Sequence, residues 1–541
     1  VTVVASPPFD LPDFILGIRP DLHVLFPASD KRRRENFVQW LLTTGVLEYA
    51  AVGDGDLLPQ NLARRGYGPG GCLTLLQQRV RAVRADVRKV FPLPRRLKDF
   101  EQWFYTHGLE ELHYWRLLSP EERRLVLALP EPWASRLRDV IVAQLPVPRH
   151  SVPLDQRPFG MNVVGYAYGQ LGIGEDARMA ARSLLAAGVP ATMVNVEPGS
   201  DIPQNDRSMA AHVELHGRHA INLFCITAEE TGRIYAEQGN VQFRDRYNIG
   251  YWPWELPKWP ALWQMVIDLV DEVWVSTQHT YDALKPVCDK PLQLMPMAVE
   301  LGEVRRFASK AQARRHFGLP EQPRLFCFAF DLNSWVQRKN PQACLDAFLA
   351  AFPRKRFGPD KVGLVIKVGR PPARRNQLWN KLKKLAAQDD RIHIIEVTLP
   401  RPDLLALYKA CDCYISLHRA EGFGRGMAEA LQLGLHVICT GYSGNVDFCT
   451  PPNAQLVRYQ LVKVRKSEYV HTQGQVWADP DVQHAASLMR KFVTAPAAQR
   501  RKRWTQFEPA TVGKRYQQRL EEIMANLREP EYYALCPRRE G

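Results

Sequence analysis

A chain of 541 residues, 45% hydrophobic and 24% charged, is too long for one core and too apolar for global disorder, so it predicts two to four domains. The net charge of +15 favours anionic partners, a phosphorylated substrate or an acidic membrane face. The basic clusters (31–34, 354–356, 374–384, 500–503) lie far apart without interleaved aromatics, which argues against nucleic acid, and the 10 scattered cysteines argue against a disulfide framework.

Those cysteines, several inside apolar runs, read as free buried thiols and predict a reducing cytoplasm. No apolar run reaches membrane-spanning length, the N-terminus does not read as a signal peptide, and Val1 suggests a piece of a longer chain. Residues 1–150 carry an internal repeat: RPDLHVLFP (19–27) is answered by RADVRKVFP (84–92), and FVQWLLTTGVLE (37–48) by FEQWFYTHGLEE (100–111). Phe37, Trp40 and Leu41 fall at helical spacing, as do Phe100, Trp103 and Phe104, and Gly45 and Gly108 fit helix C-terminal positions. A duplicated all-α accessory domain follows, each copy burying its aromatic face against the other.

A proline-rich linker (145–158) precedes the strand MNVVGY (161–166), the loop AYGQLGIGED and a helix ended by Gly188. INLFCIT (221–227), YNIGYW (247–252) and DEVWVST (271–277) continue the alternation, predicting one doubly wound domain over 157–297. A second, 298–505, is read from RLFCFAFD (324–331), VGLVIKV (362–368), IHIIEV (392–397), DCYISLH (412–418) and HVICTG (436–441). The amphipathic stretch 512–527 predicts a last helix (domain limits 506–530) packing back on the first doubly wound domain.

In open α/β sheets ligands bind beyond the carboxyl ends of the strands. Three such ends are informative here. Gly169, Gly172 and Gly174 would let backbone N–H groups approach an anion at a helix start. Arg338 and Lys339 oppose the dipole of the helix that follows, a conflict a bound phosphate resolves and an exposed turn would also tolerate. In SLHRAEGFGRGMAEAL (416–431), Glu429 can be read as dipole compensation, whereas Glu421 beside the bare Gly422 and Gly424 cannot. The Asp-x-Asp strings at Asp54 and Asp479 read as loops, not metal sites.

Glu421 and Glu429 form a Glu-x7-Glu pattern. With EGFG, MAEAL, TGYSGNVDF (440–448), GYWPWELPKWP (250–260), VDEVWVST (270–277) and FDLNSWVQRKNP (330–341), the chain resembles the retaining GT-B glycosyltransferases of family 4 over residues 157–530. That resemblance implies two Rossmann-like domains face to face, an N-terminal acceptor domain and a C-terminal donor domain. It implies that Arg338 and Lys339 hold the donor diphosphate, Glu421 the sugar hydroxyls and Glu429 the nucleotide ribose. Gly172 and Gly174 would close from the other domain, and Gly422, Phe423, Gly424, Ser443, Gly444 and Asn445 would complete the pocket. The donor is a nucleotide sugar, UDP- or GDP-linked, and no cofactor or metal is implied.

Two positions depart from the family pattern. Ser334 stands where an Arg is common, and Thr227, followed by Glu229, where a His or Asn is common near the reacting sugar. Either the donor sugar differs or another group, Glu255, fills that space. Thr227, Glu229, Trp254, Glu255 and His418 are the candidates to contact the acceptor or the sugar, and Trp252 and Trp254 either stack on a sugar or fill the core. His418, Arg419 and Arg425 are otherwise unassigned, which marks them for substrate specificity. The implied activity is retaining transfer to a glycan, lipid-linked or protein acceptor in bacterial surface polysaccharide or glycoprotein synthesis, at or near the inner membrane. The alternative is a degenerate GT-B scaffold that recruits a protein partner, or oligomerises, through residues 1–150.

Overall fold

The computed structural model describes residues 7–53, 65–112, 114, 128, 152–198, 202–369, 377–452, 454–494 and 505–528. Two parallel sheets organise the chain. The first holds β1 (Met161–Gly165), β2 (Ala191–Asn195), β3 (Val213–Glu214), β4 (Ile221–Phe224), β5 (Tyr247–Tyr251), β6 (Glu272–Val275) and β7 (Leu292–Leu294), in the spatial order 3-2-1-4-5-6-7. The second holds β8 (Arg324–Asp331), β9 (Val362–Gly369), β10 (Ile392–Glu396), β11 (Cys413–Ser416), β12 (His436–Thr440) and β13 (Ala454–Val457), in the order 10-9-8-11-12-13. Both are the doubly wound arrangement with a reversal beside the first strand, and together they make a GT-B-like α/β fold.

The central strands are buried on both faces, which explains why they read as continuous apolar runs. One polar row crosses the first sheet: Asn162, Asn222 and Asn248 lie in register on β1, β4 and β5, with an amide hydrogen bond of 2.9 Å from Asn162 to Asn222 and another from Asn222 to Asn248. Their remaining amide hydrogens go to backbone carbonyls such as His219 O, so this buried row is satisfied.

The N-terminal region is largely helical, with α1 (Leu11–Ile18), α2 (Arg33–Trp40) and α3 (Leu97–Trp103). It is not purely so, since Arg65–Tyr67 and Leu73–Thr74 pair as a short hairpin. The repeat is structural: Arg19 forks onto Asp21 (2.8 and 2.9 Å) and reaches Glu48 (2.8 Å), while Arg84 forks onto Asp86 (2.6 and 2.9 Å) and reaches Glu111 (2.5 Å). Two expectations need correction. Gly45 and Gly108 do not end their helices. Each closes a π-helical turn with helical φ of −63° and −64°, and the helix runs on to Glu48 and Glu111. Their missing Cβ makes room for the ring of Trp40 or Trp103, five residues earlier. The aromatic faces close within each copy, Phe26–Phe37–Trp40 and Phe91–Phe100–Trp103.

This region shares one hydrophobic core with the first doubly wound domain. Phe14 fills the space left by Gly232, Phe9 meets the Tyr235 ring at 5.3 Å, and the Phe9 N–H donates to Asp268. The remaining helices that matter are α4 (Gly172–Ala186), α5 (Ala228–Gln238), α6 (Gln278–Leu284), α7 (Val336–Lys339), α8 (Arg401–Ala410), α9 (Arg425–Gln432) and α10 (Pro509–Arg528). Gly188, at φ +77°, follows α4 as a left-handed stop. α10 packs along α4, with Gly513 against the Ser183 carbonyl, Tyr516 on Tyr251 and Arg519 on the buried Glu272 at 2.7 Å. Among the described residues no helix is long and apolar enough to cross a membrane.

Candidate active site

The two reversal points face one another. In the first sheet β1 and β4 are neighbours, so the loop before α4 and the start of α5 flank one crevice. In the second, β8 and β11 are neighbours, so α7 and the 417–424 loop flank the other. Thr277 joins the two halves, its hydroxyl donating to the Gly422 carbonyl at 2.8 Å, and the Gln278 N–H donates to Asp447 at 2.8 Å.

On the first side, a Cβ on Gly174 would lie 2.5 Å from Gly169 O and 2.9 Å from Tyr166 O, so only glycine lets the loop fold onto the helix start. Gly172 faces open space, and no side chain caps α4. Among the described residues its first N–H groups have no side-chain acceptor, the condition under which a helix N-terminus takes an anion.

On the second side, α7 is held between two left-handed residues, Trp335 (φ +61°) and Asn340 (φ +51°). A tryptophan there is strained, and the Asn340 amide donating to Leu417 O at 3.0 Å helps fix the turn. Lys339 Nζ donates to Glu421 Oε1 at 2.5 Å, and Arg338 Nη1 donates to Glu421 Oε2 at 3.2 Å and to Ala420 O at 2.9 Å. Glu421 is 8% exposed and Arg338 5%. Burial pushes the Glu421 carboxyl up, but Lys339 and then Arg338 outweigh it and hold it down at about 2. Burial lowers Lys339 below its usual range despite Glu421. Burial also works against the charge on Arg338, yet Glu421 and Glu255 raise its pKa. Among the described residues the buried Nε–H of Arg338 has no acceptor. A cation holding an unused donor in a dry site is poised for an anion.

The sequence-derived candidates divide into groups. Arg338, Lys339 and Glu421 come together, and Gly422 and Gly444 support them. The Gly444 N–H donates to Glu421 O at 2.9 Å, and a Cβ on Gly444 would collide with Gly422 O. Ser443 (φ +73°) accepts the Glu421 N–H at 2.8 Å, and Asn445 spends its amide on Thr440 O and His418. These two side chains thus form the wall that holds the Glu421 loop. Phe423 packs on Phe448 and Phe507, and Gly424 turns into α9 at φ +96°.

Glu429 is buried and accepts from Arg401 at 2.9 Å; Arg401 also lies 3.5 Å from Glu175, while Arg425 pairs with Asp176 across the domains. His418 is fully buried, its Nε2–H donating to Asn445 and its Nδ1 accepting from Ser416, and burial keeps it neutral. Arg419 lies over Trp477 and pairs with Asp479 at 3.0 Å. Asp479 therefore sits on a strand, Val476–Pro480, rather than in a loop; Asp54 lies outside the described residues. Thr227 caps α5, its hydroxyl accepting the Glu230 N–H. Glu229 accepts from Trp263 Nε1 at 3.0 Å and contacts His471 at 3.3 Å. Glu255 lies 3.7 Å from Arg338. Trp252 and Trp254 are each 1% exposed and belong to the core, so neither ring face is open to a sugar in this arrangement.

Sequence reasoning missed Arg401, Thr277, Tyr469 and His471. Arg401 begins α8, a cation opposing a helix dipole like Arg338, and the same test would have found it. Tyr469 and His471 come from the turn region of a hairpin, β14 (Tyr459–Lys463) with β15 (Val476–Pro480). That hairpin was legible as two short alternating runs around YVHTQGQ.

The family model of glycosyl transferases group 1 matches residues 310–460. Among solved structures, sucrose-phosphate synthase from Thermosynechococcus elongatus is 16% identical over 70% of this chain and 99% of that one, with a TM-score of 0.44. HepE from Anabaena, solved with UDP and glucose, is 13% identical over 68% and 100%, with a TM-score of 0.46. The pneumococcal O-GlcNAc transferase GtfA, solved with UDP and GlcNAc, is 14% identical over 57% of each chain, with a TM-score of 0.36. At such scores these likenesses add nothing to the topology described above, and no curated protein sequence matches the chain. Residues 310–460, with the switch-point residues Arg338, Lys339 and Glu421 among them, are a glycosyl transferases group 1 domain within a two-sheet GT-B-like fold.

Proposed function

We propose that the protein moves a sugar from a nucleoside-diphosphate sugar to a glycan, lipid-linked or protein acceptor, with retention at the anomeric carbon. The observation that carries this reading is the buried Arg338, its Nε–H unpartnered, beside Lys339 and the ionised Glu421 at the switch point of the second sheet. As the bond from C1 to the diphosphate oxygen breaks, negative charge grows on the leaving group, and two fixed cations in a dry site stabilise that charge most where it is largest. Glu421, held ionised, accepts from sugar hydroxyls. Glu429, oriented by Arg401, accepts from the ribose. The uncapped start of α4 at Gly172 meets the diphosphate from the acceptor side. The acceptor hydroxyl attacks C1 from the face the diphosphate leaves, and its proton passes to the departing phosphate oxygen.

Thermal-shift measurements with UDP, GDP, dTDP and CMP, then donor hydrolysis with the sugars of whichever nucleotide binds, test this. A nucleoside diphosphate is expected to raise the melting temperature of the wild type and not of Arg338→Ala, and Glu421→Ala is expected to abolish turnover. No shift with any nucleotide and no turnover would leave the scaffold alternative standing instead.

A further inference from the structure

The matched family region ends at residue 460, whereas the β14–β15 hairpin runs from Tyr459 to Pro480. The hairpin leaves the donor domain and reaches the acceptor domain. The Lys258 N–H donates to Gln475 Oε1 at 3.2 Å and Gln475 Nε2 donates back to Lys258 O at 2.7 Å. His471 lies 3.3 Å from Glu229, with its ring 5.3 Å from that of Trp263. Tyr469, also buried, donates its hydroxyl to Glu255 Oε2 at 2.8 Å, and its ring lies 5.7 Å from the Arg338 guanidinium. Trp335, in its left-handed conformation before α7, sets its ring 5.6 Å from that of this tyrosine, edge to face.

Arg338 is thus enclosed by groups from three places: Glu421 and Ala420 O of its own domain, Glu255 of the other, and the hairpin tyrosine. Two of the enclosing groups are coupled, since the Tyr469 hydroxyl fixes the Glu255 carboxylate that faces the guanidinium. Burial, then Glu255, push the Tyr469 hydroxyl well above its usual pKa, so it stays a donor. A ring face attracts a cation without consuming any of its N–H groups. The Nε–H is therefore left over while Glu421, Glu255 and the ring all contact the guanidinium.

We propose that Tyr469 is a positioning residue: through Glu255 and its own ring it fixes Arg338 in the orientation that receives the donor diphosphate, so this hairpin completes the donor site. The inference rests on the diphosphate reading above, and inorganic pyrophosphate, which is independent of base and sugar, separates the two. Titration calorimetry of the whole protein is expected to show pyrophosphate binding to the wild type and loss of it in Arg338→Ala. Tyr469→Phe is expected to weaken it about tenfold and Tyr469→Ala about a hundredfold, the scale of hydrogen bonds and ring contacts to a charged group. In a Glu255→Gln background, Tyr469→Phe is expected to cost less than twofold more, because both changes break one linkage. A purely structural tyrosine would lower the melting temperature and leave pyrophosphate affinity unchanged. That result in Tyr469→Ala, with Arg338→Ala still defective, overturns this proposal alone. Absence of binding by the wild type overturns both readings.

Discussion

Replacing Glu421 by Gln keeps the shape of the side chain and removes the one full negative charge that Lys339 and Arg338 both contact. The carboxyl is held at about 2 against an ordinary 4.5, and at about 1.4 kcal/mol per unit this is about 3 kcal/mol in favour of the ionised form at neutral pH. A folded-state pKa below the unfolded one contributes stability that is present above pH ~4.5 and lost as pH falls through ~2. The variant lacks that contribution at every pH and strands two buried cations, so the full cost is about 3–5 kcal/mol near pH 7. For a domain of this size that is a fall of about 6–20 °C in melting temperature. Differential scanning calorimetry of both proteins between pH 7 and pH 3 is the assay. The gap is expected to be widest at neutral pH and to narrow below pH ~4.5. Because the stranded cations favour an anion, millimolar pyrophosphate should raise the variant's melting temperature more than the wild type's, although turnover is lost. An unchanged melting temperature at pH 7, or a gap that widens on acidification, refutes the electrostatic account.

Burial holds Lys339 below 10.5, so it loses its proton earlier than a free lysine as pH rises, and an anion favours the protonated form. Pyrophosphate affinity should therefore fall across the alkaline range before pH ~10.5, with proton uptake on binding at its upper end; flat calorimetric affinity would contradict this. Gly444→Ala should displace the Glu421 loop, since its Cβ would collide with Gly422 O, and reduce kcat at least about a hundredfold, which is the scale of a misplaced catalytic group. Wild-type turnover in Gly444→Ala would show that the loop accommodates the change.

What was legible in the sequence was local. The strands over 324–331 and 362–368 were read within a residue of the observed Arg324–Asp331 and Val362–Gly369, because strands buried on both faces leave an unbroken apolar run. The short edge strands Val213–Glu214 and Leu292–Leu294 escaped, being half-buried and lacking that run. A glycine marks a place where a side chain is excluded without saying what the space is for. Gly45 and Gly108 suggested helix ends, whereas their use is to let a tryptophan fold across a π-helical turn, a packing requirement that leaves no periodic trace. The Arg, Asp and Glu of the repeat recur in order, but nothing in the sequence says that Arg19 forks onto Asp21 and reaches Glu48.

The site shows the same division more sharply. Glu421, Arg338 and Lys339 were visible because each breaks a local rule, a charge among bare glycines or a cation before a helix start. The loop and the enclosure that hold them together, however, are built by partners that break none. Ser443 looks like an ordinary loop serine, yet its hydroxyl accepts the Glu421 N–H; Thr277 looks like an ordinary cap, yet it donates to the Gly422 carbonyl across the domains. Glu255 and Tyr469 are 214 positions apart and meet only because a hairpin crosses from one domain to the other. A buried guanidinium is stable only if such distant groups are in place, since an unpaired charge in that interior costs several kcal/mol. The rule-breaking residues thus mark where chemistry is placed, and the unremarkable ones decide whether its charges can exist there.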